Sequence, residues 1–111
     1  MTTDTDAREL TLFAENDGDL YRSRILPIIA NLARKVAAGT FDADKALTLW
    51  RYAADDAAQR YTKAHGGAGF GSYGIFSLPT RKACAAMLAE GYAEHVAEEA
   101  QTIAAARQVR K

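Results

Sequence analysis

The chain has 111 residues, enough for one domain around one core and too few to expect two. Its fourteen basic and fourteen acidic residues cancel, so no overall positive field points to nucleic acid. Nearly half of the residues are apolar and a quarter are charged, which is globular usage and argues against a disordered chain.

Cys84 has no second cysteine to pair with, so nothing argues for an oxidising compartment. No apolar run approaches the roughly 20 residues that span a bilayer. The start, MTTDTDARE, is acidic and polar, unlike a signal or transit peptide. The expectation is a cytoplasmic protein with no membrane contact. Alanine supplies much of the apolar total and buries little area per residue, so the core should be thin. Its weight should rest on Ile25, Ile28, Ile29, Leu32, Leu49, Trp50, Tyr61, Leu88 and Tyr92.

Residues 1–8 are polar and expected to be disordered. In Glu9–Glu15, Leu10, Leu12 and Ala14 alternate with Thr11 and Phe13, which suits an extended arm lying on helices, with a helical turn as the alternative. Asn16-Asp17-Gly18-Asp19 is a turn signal, and Asp17 or Asp19 can cap the next helix. From Leu20 to about Ala38, Tyr21, Ile25, Ile28, Ile29, Leu32 and Val36 share one helical face. Pro27 should kink or restart this helix, and Gly39 should end it.

The run Phe41–His65 carries the clearest pattern, with Ala46, Leu49, Trp50, Ala53, Ala57, Tyr61 and Ala64 at three- and four-residue steps. Asp42 stands at the N-cap position, while Arg51–Asp55 and Asp56–Arg60 are one turn apart on the other face. The short connection predicts that this helix and the one before it are close neighbours. Five glycines in residues 66–74 cannot hold a helix, but Phe70, Tyr73, Ile75 and Phe76 suggest a loop pinned by aromatic contacts. Ser77 or Thr80 then opens a last helix that buries Cys84, Leu88, Tyr92 and Val96. The expected fold is all-α: a three-helix domain over residues 9–99 with an extended N-terminal arm and a Gly-rich loop before the last helix. Residues 100–111 should form a frayed basic helical tail.

Gly69–Gly74 fits G-x-G-x-x-G, yet a long helix precedes it and no βαβ unit surrounds it, so a simple connection is the better reading. Glu15, Asp17 and Asp19 lack the spacing of a calcium loop and suit capping instead. His65, Cys84 and His95 have no metal-site spacing, and nothing places a base or an oxyanion site beside Cys84. No catalytic residues, metal ligands or cofactors are therefore expected, and the protein reads as a non-enzyme.

Glu90, Glu94 and Glu98 stand at four-residue steps on the last helix. They form either a solvated acidic face or a strip that meets a basic partner. With the loop aromatics Phe70 and Tyr73, they are the candidate partner-binding residues. Arg22, Arg34, Lys35 and Arg81 are the alternative, a basic nucleic-acid surface on the first and last helices. An Ala-rich domain with a thin core would also gain from homodimerisation.

Several runs resemble a family of small proteins encoded by bacteriophages, plasmids and other mobile elements. They are Glu15-Asn16-Asp17-Gly18-Asp19-Leu20-Tyr21-Arg22, Pro27-Ile28-Ile29, Asn31-Leu32-Ala33-Arg34-Lys35, Gly39-Thr40-Phe41-Asp42, Leu49-Trp50 and Arg60-Tyr61. The likeness covers about Leu10 to Glu99 and brings no activity or catalytic residues with it. It implies an accessory protein acting in a host cytoplasm by binding a host protein or complex. By analogy this would be an inhibitor of a host defence complex, in the manner of anti-CRISPR proteins.

Overall fold

The computed structural model describes residues 3–66 and 72–109, and among these every regular element is helical. The elements are α1 (Thr3–Asn16), a short α2 (Gly18–Leu20), a π-helical turn (Tyr21–Ile25), α3 (Leu26–Ala38), α4 (Ala43–Ala64) and α5 (Leu78–Val109). The axis is α5, whose 32 residues make a rod about 48 Å long. Against it α1, α3 and α4 each pack more extensively than they pack on one another.

The extended arm expected at residues 9–15 is instead part of α1, which gives four long helices where three were expected. Ala7, Leu10 and Ala14 lie at helical spacing and are fully buried, whereas Leu12 is 60% exposed. The apparent alternation therefore came from an apolar residue on the solvent side. Helix α1 already includes residues 3–8, read from sequence as loose. Thr11 lies against Cys84 and Met87 of α5, and Phe13 meets Tyr61 of α4 edge-on at 5.3 Å.

Local chemistry sets the helix ends. Asp17 Oδ1 accepts from the Leu20 amide at 3.0 Å and opens α2. Leu26 N–H then donates to the Tyr21 carbonyl five residues back, forming the π turn immediately before Pro27. Proline has no N–H and its ring crowds the preceding turn, so a wider turn relieves that crowding while the rod continues. Gly39 ends α3 at φ +75°, donating its N–H to the Lys35 and Val36 carbonyls. Asp42 Oδ1 accepts from the Asp44 and Lys45 amides and starts α4. Ser77 Oγ faces the Thr80 amide at 3.4 Å and its hydroxyl at 3.0 Å, opening α5.

Trp50, Phe76, Leu10, Leu20, Ile25 and Leu88 are the largest fully buried side chains, so Leu10, Leu20 and Phe76 join the core expected from sequence. Trp50 stacks on Tyr92 of α5, with ring centroids 5.5 Å apart and an interplanar angle of 11°. Contrary to the expectation from their short connection, α3 touches α4 far less than it touches α5. That divergence opens the site described next.

Candidate functional site

Where α3 ends and α4 begins, Gly39 in the left-handed region and the Asp42 cap leave a brief non-helical link. Phe41 sits in that link, belongs to neither helix, and is 46% exposed. On the far side, Ala86, Ala93 and Ala97 of α5 present little bulk. Between them runs an open groove of about 490 Å³ with Trp50 and Leu32 in its lining. Val36 (40% exposed) and Leu47 (41%) complete its rim with Phe41. Glu90 is the one charged residue in that lining.

A reading of the sequence places Val36 on a buried face and leaves Leu47 and Phe41 unassigned. Two signals could have found the site. Phe41 lies between a helix-ending glycine and a helix-starting aspartate, so neither helix can bury it in its regular stripe. Leu47 falls outside the apolar stripe of α4, yet is large and apolar.

Charge is distributed unevenly around the bundle. Asp55 and Asp56 in the middle of α4, and Asp19 beside them, are neutralised: Arg24 reaches Asp56 at 3.0 Å, Arg60 reaches Asp56 at 3.1 Å and Asp19 at 2.6 Å, and Arg81 reaches Asp55 at 2.8 Å. The Arg60 contact holds the Asp19 carboxyl below its ordinary range. The Arg51–Asp55 pair is present but long, at 3.8 Å. Glu90, Glu94 and Glu98 are exposed and make no ion pair among the described residues. Successive members of this strip turn about 40° around the helix. Glu90 therefore faces the groove, while Glu94 and Glu98 lead away from it onto open surface.

Tyr73 does not join this strip. Tyr73 is half-buried under the Arg81 guanidinium, whose Cζ is 3.7 Å from the ring centroid, near the start of α5. Phe70 lies outside the described residues, as do glycines 67, 69 and 71. Phe76 is buried against Tyr61. Of the aromatic and apolar residues expected to pin the loop, Tyr73 and Phe76 make such contacts, whereas Ile75 is 50% exposed.

The basic alternative does not assemble into one patch. Arg81 is 12% exposed, with Nη1 donating to Asp55 and Nε to the Phe76 carbonyl, so most of its donor edge is already committed to the fold. Arg22 and Arg34 are exposed on the π turn and α3, about 18 Å apart along that helical segment. Lys35 is half-buried near the end of α3.

Asp17 caps the next helix, as the turn reading expected, while Asp19 makes no cap and pairs instead with Arg60, a contact the sequence did not suggest. Among the described residues no three His, Cys, Asp or Glu side chains converge on a metal-binding point. Burial pushes the Cys84 thiol up to about 11, with Thr11 acting in the opposite direction. His65 donates Nδ1–H to the Tyr61 carbonyl at 2.9 Å and stacks on the Tyr61 ring, far along the chain from Cys84.

No described helix is long and apolar enough to cross a membrane. Compared with known proteins, the chain matches no family model, no curated sequence and no solved structure.

Proposed function

We propose that this is a non-enzymatic interaction protein of a phage or other mobile element that binds a host protein, in the manner of an inhibitor of a host defence complex. The genomic setting comes from the sequence resemblance alone. The observation that carries the binding reading is the pairing of an apolar groove, rimmed by exposed Val36, Phe41 and Leu47, with the uncompensated carboxylates Glu90, Glu94 and Glu98. Large apolar side chains exposed together beside unpaired like charges mark a surface that gains by being covered. Asp55 and Asp56 on α4 already have arginine partners, whereas at this strip a basic partner adds attraction without displacing an internal ion pair.

The test is capture from bacterial lysate with tagged protein, comparing wild type with the Glu94→Lys/Glu98→Lys variant. Wild type should retain a specific protein identified by mass spectrometry, and the variant should lose it with unchanged thermal melting. Equal capture by both proteins removes the acidic strip from the reading.

A further inference from the structure

We infer that the groove between α5 and the α3–α4 junction receives one amphipathic α-helix from a protein partner, with Lys or Arg on the helix flank that meets Glu90. This rests on the interaction reading above and names the chemistry of the partner. Apart from Glu90 the groove offers hardly any side-chain donor or acceptor: its lining is alanine, leucine, valine, phenylalanine and tryptophan. An extended peptide would carry unpaired amides and carbonyls into that surface, at a cost for each one left unbonded. A helix satisfies its backbone internally and presents only side chains.

The shape agrees with a helix. From Ala86 to Ala97 the α5 wall is about 16 Å long, which matches three helical turns. Small side chains along that wall allow a second helix to approach closely. The opposite wall supplies Val36, Phe41 and Leu47 as separate apolar contacts, which suits anchors at i, i+3 or i+4, and i+7. Charge selects among such helices. Glu90 has no ionic partner among the described residues, and an apolar wall flanks it. A neutral or acidic flank would leave that carboxylate partly desolvated and unpaired, while a basic flank neutralises it.

The experiment is selection from a displayed library of helical peptides of about 14 residues, randomised at their apolar and flanking positions, against the full chain. Trp50 is the only tryptophan and lines the groove, so its emission reports occupancy in solution. Enriched peptides should share the three-anchor spacing, carry Lys or Arg on one flank and shift Trp50 emission. Glu90→Lys should weaken them on the order of tenfold, and selection against that variant should enrich Asp or Glu flanks instead. Circular dichroism and thermal melting of Glu90→Lys should match wild type.

Failure to enrich helical peptides, or enrichment without a charge preference, overturns the inference. So does sedimentation of the wild type as a dimer that Leu47→Arg splits, because a second copy would then cover the groove. If peptides fail while the lysate partner is still captured, the groove assignment falls and the interaction reading stands. Peptide binding without any lysate partner does the reverse.

Discussion

Arg81 lays its guanidinium over the Tyr73 ring at 3.7 Å while Nη1 donates to Asp55 at 2.8 Å and Nε to the Phe76 carbonyl at 3.2 Å. One side chain of α5 thereby holds α4 and the segment that leads into α5. Arginine suits this position because its planar fork can stack on a ring face while its edge hydrogen-bonds in plane. With Tyr73 covered and Arg81 committed, the exposed chemistry lies further along α5, where Glu90 meets the groove.

Replacing Arg81 should therefore cost stability. Arg81→Ala leaves Asp55, itself only 15% exposed, with the weaker 3.8 Å contact to Arg51. The expected loss is about 2–3 kcal/mol, read as a lower urea midpoint at unchanged slope. Arg81→Lys should recover part of it, since an ammonium keeps the charge but cannot both fork and stack. Equal losses in the two variants would show that the retained charge contributes nothing without the fork.

Two glycines in the left-handed region should respond differently to a methyl group. At Gly39, φ +75°, an added Cβ meets nothing within 4 Å, so Gly39→Ala should cost only the backbone term, about 1 kcal/mol. At Gly74, φ +58°, the added Cβ runs into the Thr62 side chain. Thr62 is buried and its hydroxyl donates to the Ala58 carbonyl at 2.7 Å, so it has little room to yield. Gly74→Ala should lose about 2 kcal/mol more than Gly39→Ala, and Thr62→Ala in the same chain should restore part of the difference.

Stability should fall under alkaline conditions through Cys84. Its thiol rises from 9.0 to about 11 in the folded protein, chiefly by burial. Between those values the unfolded chain releases a proton that the folded one retains, so rising pH favours unfolding. The contribution is intact below about pH 9 and lost through pH 11, a span worth up to about 3 kcal/mol. Tyr61, bonded to Glu9, and Tyr92, buried against Trp50, are also raised from 10.0 and act with the same sign. Chemical denaturation across this range should show the slope, and Cys84→Ala should flatten it between pH 9 and 10.

How far the sequence disclosed the fold depends on whether the information was local. Asp42, Gly39, Ser77 and Asp17 act within a turn of themselves, and each was identifiable as a cap or turn residue in the chain alone. The Trp50 stripe was readable in part: α4 buries Ala46, Trp50, Ala53 and Ala57 as read. Its buried face is rotated to take in Ala54, Ala58 and Thr62, leaving Leu49 and Tyr61 half-buried and Ala64 exposed. The groove was not readable. It exists because α3 turns toward α5 and leaves α4, so Val36 at the end of a regular apolar stripe comes to lie at a rim. Likewise, the separation of Tyr73 from the glutamates follows from Arg81, whose partners are 26 residues away in Asp55 and close at hand in Phe76.

The sharpest misreading, at α1, makes a sharp test. Alternation places Leu10 and Leu12 on the same side of an arm, with equal contributions to stability. The helix separates them by about 200°, with Leu10 fully buried and Leu12 60% exposed. Leu10→Ala opens a cavity among Ala7, Ala14 and the neighbouring helices and should cost about 3 kcal/mol. Leu12→Ala removes exposed surface and gains helix propensity, so it should change stability by less than about 0.5 kcal/mol. Amide exchange should concur, with protection through Leu10 and Ala14 that disappears in Leu10→Ala and survives in Leu12→Ala. Equal effects of the two substitutions would restore the extended arm and remove α1 from the core.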